Sequence, residues 1–323
     1  MHPDIHILAA CTDRKRVHVP YRLRLRSVAK GDPSSVAKAW CRRVKNERTE
    51  TVVAGSLYAG DHWATVRQLA AIVKQQGLTS KSFVLSAGHG LVSVTSQIRP
   101  YSATFASASP DSVTSRVSKK ESRKVVLQTW WKEICAMGNA SVNKPRSISA
   151  LARRTPSSTF VVIASPNYLL ALEQDLLNTL EILADKNQLI IISSNSTILS
   201  PLIQDHIVPS VEPLQSVVGG ALGALHARVA SLIFRNAHRW GLRADGLRKR
   251  LKRLAASSRP VREYHRKRLS DVQVCKFVRQ GLRRSSRISC SALLQELRGS
   301  GFACEQKRFR NLFWSVKEKK HAS

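Results

Sequence analysis

A chain of 323 residues with 43% hydrophobic side chains has enough apolar surface for a buried core, which excludes general disorder. Its 53 lysines and arginines against 21 acids give a net charge of +32, a self-repulsion that asks for a polyanionic partner. No run approaches the ~18–20 apolar residues of a membrane span and none reads as a secretory signal, so neither a membrane nor export is expected.

The charge is segregated. Residues 1–154 hold 26 basic and 9 acidic side chains, residues 155–227 one basic and six acidic, and residues 235–323 hold 25 basic and 6 acidic. Two cationic blocks around a near-neutral centre predict a protein that grips nucleic acid from two sides of one fold. Cysteines 11, 41, 135, 275, 290 and 304 show no CxxC pair and no histidines at zinc-finger spacing. They are expected as free thiols in a reducing cytoplasm, with no metal and no cofactor, in a monomer.

In chain order, residues 5–10 read as a buried strand. Trp63 to Gln76 carries apolar residues at 63, 66, 69, 70 and 73, which is helical spacing, and Gly77 ends it. Residues 82–86 predict a second strand, followed by the turn Gly88-His89-Gly90. A helix is expected over 124–137, a strand over 159–164, a helix over 169–183 and a strand over 189–192. Continuous apolar strands separated by helices predict an α/β fold with a mostly parallel central sheet flanked by helices. The Ser/Thr-rich stretches 102–118 and 143–158 read as surface loops, the second carrying Arg153 and Arg154, which with Arg14 and Lys15 are expected to contact DNA.

Val217 to Trp240 reads as one long helix leaving the α/β core. Beyond it, Arg248, Lys249, Arg250, Lys252 and Arg253 form a dense basic segment suited to phosphate contact. The C-terminus predicts three short helices, 270–282, 289–298 and 304–317, with a Gly299-Ser300-Gly301 turn in a helix-turn-helix arrangement. The last has Phe309, Leu312, Phe313 and Val316 on one face, and Gln306, Lys307, Arg308 and Arg310 on the other, the pattern of a major-groove helix. The expected division is an α/β domain over 1–215, a basic helical linker over 216–268 and a helical DNA-binding module over 269–323.

Ligands of parallel sheets sit beyond the carboxyl ends of the strands. Asp13, Arg14 and Lys15 follow the first strand, Gly88 and His89 the second, Tyr58 and Asp61 the segment between, and Asn195 the fourth. Asp61 also reads as a cap for the helix after it. No Ser-His-Asp order, GxxxxGK[ST] loop or GxGxxG is present, so nothing supports acyl transfer, ATP hydrolysis or dinucleotide chemistry.

Cys11 with Lys15, Leu57-Tyr58-x-Gly60-x-x-Trp63, Ser86-Ala87-x-x-Gly90-Leu91 and Ile98-x-Pro100-Tyr101 together resemble the YaaA-like proteins and their relatives around deazapurine and phage-defence loci. The resemblance covers residues 5–105, and more loosely the sheet to about residue 200. It departs at His89, where Tyr is usual, and does not reach the basic C-terminal module. It implies a uracil-DNA-glycosylase-like fold. It also implies a bacterial, nucleoid-associated DNA glycosylase that excises a modified base from phage DNA. In that reading Asp13 is the acid near the sugar, with Asp61 second. Tyr58 and Tyr101 stack on the extruded base, Gly88 and Asn195 line its pocket, and His89 donates a hydrogen bond to it. Two rivals stay open: a non-catalytic DNA-binding protein, architectural or regulatory, and a tRNA-binding or RNA-modifying protein.

Overall fold

The computed structural model describes residues 5–117, 121–136, 145–194, 197–258, 266–286 and 288–321. The chain folds as two compact units, Met1–Val261 and Arg262–Ser323.

The first unit is an α/β fold around a six-stranded sheet. Strands β1 (Ile5–Ala10), β2 (Ser80–Ser86), β3 (Gly90–Ser93), β4 (Thr159–Ile163), β5 (Leu189–Ser193) and β6 (Ile207–Pro209) lie in the order β3-β2-β1-β4-β5-β6. All pairings are parallel except β2 with β3, a hairpin that closes one edge. Ile5 stands opposite both Ser80 and Thr159, so β1 is central and strand order reverses beside it. Every residue of β1, β4 and β5 is buried, as continuous apolar runs require when helices cover both faces. Helices α1 (Pro33–Asn46), α3 (Arg123–Ala136) and α4 (Pro166–Ile182) pack together, while α2 (Asp61–Gln75) packs with α5 (Leu225–Arg235).

Four expectations of the fold need correction. The described part of the 102–118 stretch, residues 102–117, is not a surface loop: Ala103, Phe105, Val113 and Val117 are buried. Its buried carboxylate, Asp111, takes both nitrogens of the Arg26 fork at 2.9 and 2.6 Å and the Ser102 hydroxyl at 2.8 Å. The 143–158 stretch contains a short helix, Ile148–Ala152, capped by Ser147. Buried Asp175 anchors its first turn, accepting from the Ile148 and Ser149 amides at 2.8 and 2.9 Å. The 217–240 segment is broken into pieces, because Gly219 and Gly220 adopt φ of +67° and +76° and cannot continue a helix.

The basic linker is also corrected. Helix α6 (Ala244–Ser257) packs on β6 through Ala244, Leu247 and Leu251 and belongs to the first unit. No single helix among the described residues is long and apolar enough to cross a membrane. The apolar run from 212 to 235 is bent by 86°, and its longest part, α5, buries Val229, Ala230, Ile233 and Phe234 in the core.

The second unit has its own core, built from Val274, Val278, Leu282, Leu293, Leu294, Leu297, Phe309 and Phe313. Helices α7 (Asp271–Arg284), α8 (Cys290–Gly299) and α9 (Gln306–His321) match the three expected from sequence. A Ser270–Gln273 capping box starts α7. A two-stranded parallel pair, Lys267–Arg268 with Phe302–Ala303, was not expected.

Candidate functional site

At the carboxyl ends of β1, β2 and β4 the sheet holds a cluster of polar side chains. Cys11 leaves the end of β1, and its Sγ shares a hydrogen bond with the Tyr168 hydroxyl at 3.0 Å. The Tyr58 and Tyr101 hydroxyls share another at 3.0 Å, and the Ser86 hydroxyl donates to Tyr101 at 2.7 Å. Burial pushes all three tyrosines well above their usual range, so they are neutral hydroxyls at any ordinary pH.

Lys15 enters this cluster from the loop after β1. Its Nζ donates to the Thr12 carbonyl and lies 4.8 and 5.0 Å from the Tyr58 and Tyr101 ring centroids. Among the described residues it makes no ion pair, and burial lowers its pKa. The cation is held by two π faces and one carbonyl, an internal role in place of the phosphate contact expected of it. The backbone of the same loop is stitched down on both sides. The Arg16 amide donates to Leu57 at 2.9 Å and the Ala59 amide to Arg14 at 3.0 Å.

The result is a rigid base under Asp13, which is exposed and lies two residues before Lys15. Asp13 makes no ion pair or hydrogen bond among the described residues, although Arg14, Lys15 and Arg16 follow it in sequence. The other acid of the loops that could have competed is engaged. Asp61 accepts from Arg228 at 2.8 Å and from the Ala221 amide at 3.4 Å. The cap expected of Asp61 is not formed: Gly60 is the capping residue, and Asp61 opens α2 with its carboxylate turned to Arg228.

The stacking role expected of Tyr58 and Tyr101 has no exposed ring to act through. Both are 0% exposed, and Trp63 stacks on Tyr58 with centroids 4.7 Å apart. The rings belong to the core because the loop they support must be held from below. Gly88 serves the same packing. A Cβ there would lie 2.3 Å from Tyr101 Cδ2, so only glycine lets the hairpin close over the ring. The carbonyls of Gly88 and Ala87 accept from the Trp40 and Trp130 indoles at 3.0 and 2.8 Å.

His89 is half-buried and its Nε2–H donates to the Arg99 carbonyl at 3.1 Å. Burial, with Arg146, Arg99 and Lys15 nearby, pushes its pKa down to about 4. It is therefore neutral at pH 7, with Nδ1 left as an acceptor; donation to a leaving base is not available in this arrangement. Asn195 lies outside the described residues.

The aromatic that sequence reasoning missed is Tyr21. It sits on the same long loop, 66% exposed, in a short 3₁₀ turn between Arg16, Arg22 and Arg24. An aromatic among arginines was the available signal. Among the described residues, no group of three His, Cys, Asp or Glu is placed to hold a metal ion.

Of the basic residues singled out, Arg14, Arg153, Arg154, Lys249, Arg250, Lys252, Arg253 and Arg310 are exposed. Arg248 pairs with Asp205 at 2.9 Å, and Arg250 covers the Trp240 ring at 5.3 Å. In the second unit Gln306 is exposed on α9, and the side chain of Lys307 lies outside the described ones. Arg308 is engaged within the unit: its Nε donates to Asp271 at 2.7 Å and its Nη2 to the Leu269 carbonyl at 2.8 Å. Exposed Trp314 instead joins Arg310 and Asn311 on the outer face of α9.

No family model, no curated protein and no solved structure matches the chain.

Proposed function

We propose that this chain is a DNA glycosylase that hydrolyses the N-glycosidic bond of a modified base in double-stranded DNA, phage DNA above all, and leaves an abasic site. The observation that carries the reading is Asp13. It is an exposed carboxylate without a hydrogen bond among the described residues, just beyond the central strand, on a loop fixed by Lys15 and followed in sequence by Arg14, Lys15 and Arg16. Placed against a sugar, such a carboxylate stabilises the positive charge that develops as the base departs, or orients the attacking water. Tyr21 supplies the exposed ring that a flipped base needs, and the neighbouring arginines supply phosphate contacts.

The test is incubation of the purified protein with plain duplexes and with duplexes carrying hypermodified cytosine, followed by hot alkali. Strand breaks at modified positions support the reading. Tight binding with intact strands on every substrate replaces it with the non-catalytic DNA-binding reading, and preference for tRNA over duplex at fixed salt replaces it with the RNA reading.

A further inference from the structure

Beside His89 a groove of about 1190 Å³ runs along the edge strand β3. Its lining includes five cations, Lys45, Lys81, Arg99, Arg146 and Arg154, and no aspartate or glutamate among the described residues. Between the cations the walls are rich in hydroxyls, among them Ser80, Ser82, Ser93, Thr95 and Thr155. A surface of this composition repels other cations and offers donors to a chain of anionic oxygens. Its volume exceeds the ~300–1,000 Å³ of ordinary small-molecule pockets, which favours a polymer segment over a single small ligand.

Arg146 adds an independent observation. Its Nη2 donates to the His89 carbonyl at 3.0 Å, yet its Nε is buried and makes no hydrogen bond. A buried donor without an acceptor is costly, so the guanidinium of Arg146 is only partly satisfied by the protein around it. Arg99 is tied to the backbone by its Nε on the Glu47 carbonyl at 2.5 Å, so its charge is held in place on the groove wall.

We infer that this groove carries the phosphodiester backbone of one nucleic-acid strand, led along β3 toward the hairpin at Gly88 and His89. The inference rests on the nucleic-acid reading above but not on base excision. None of these residues except Arg154 was expected from sequence to touch nucleic acid, because they are scattered over four segments that only the fold brings together.

The experiment measures binding of a fluorescein-labelled oligothymidylate between about 50 and 200 mM salt, with a labelled duplex in parallel. The variant combines Lys45→Ala, Lys81→Ala and Arg154→Ala, all at exposed positions, and its thermal melt checks that the fold is unchanged. Removing one phosphate-binding cation reduces the slope of log K against log salt by ~0.7 for a single strand, so the slope becomes shallower by about 2. An unchanged single-strand slope overturns the inference, as does an effect confined to the duplex. The base-excision assay keeps the two proposals apart. Excision with an unchanged slope removes the groove alone, whereas the predicted slope change without excision on any duplex removes the glycosylase reading and leaves the groove.

Discussion

The Lys15 ammonium stands 4.8 Å from the centroid of the Tyr58 ring, and the backbones of the same two residues form an isolated antiparallel bridge. One residue thus fixes the loop after β1 twice, by main chain and by side chain. Lys15→Met keeps the aliphatic stem and removes the charge. Stability should fall by about 1–2 kcal/mol in denaturant unfolding, while affinity for DNA stays close to that of the parent chain. A large drop in affinity at unchanged stability would show instead that the ammonium faces the phosphate.

Asp61 gives the complementary case. Asp61→Ala removes the partner of a half-buried guanidinium and should destabilise by about 1–2 kcal/mol, with the rate of excision unaltered. Arg228→Gln should behave alike, and the double variant should cost less than the sum of the two singles, as residues in contact do.

Three histidines make the first unit acid-sensitive. Burial pushes the pKa of His62, His89 and His226 from the ordinary 6.5 down to about 4, with His226 adding repulsion at His62. The folded state holds them neutral while the unfolded chain protonates them. Stability is therefore full above pH 6.5 and declines as pH falls from 6.5 toward 4. Melting temperature measured across that window should fall steadily, and His226→Gln should flatten the decline.

In the second unit the two arginines of α9 should separate cleanly. Arg308 ties α9 to Asp271 and Leu269, so Arg308→Ala should lower the melting temperature of that unit. Arg310 is exposed, so Arg310→Ala should leave stability unchanged and reduce the salt slope of duplex binding by about 0.9.

The sheet was largely legible because β1, β4 and β5 are mainly apolar and buried throughout, and β2 carries the apolar run Phe83-Val84-Leu85, each too short for a helix and bounded by turn residues. Strands β3 and β6 were missed for want of length: Gly90–Ser93 and Ile207–Pro209 are too short to show a period. Residues 102–118 misled because Ser and Thr suggest solvent, whereas here their hydroxyls pair with Asp111 and with backbone while the interleaved apolar side chains go inward. The loop after β1 is legible as the place of Asp13, but sequence does not say which tyrosines point into the core. Spacing therefore favours Tyr58 and Tyr101 for stacking and passes over Tyr21, the ring that solvent reaches. The basic groove along β3 was illegible for a simpler reason: its cations are far apart in the chain.

The proposed chemistry turns on Asp13 acting at the sugar of an extruded nucleotide. It is tested most directly by single-turnover excision from a modified duplex with Asp13→Asn, alongside the affinity of the same variant for that duplex. Excision should slow by about 10²–10⁴-fold with affinity retained or slightly raised, since a negative charge has been removed beside exposed Arg14 and Arg16. Excision by Asp13→Asn at the rate of the parent chain would contradict it.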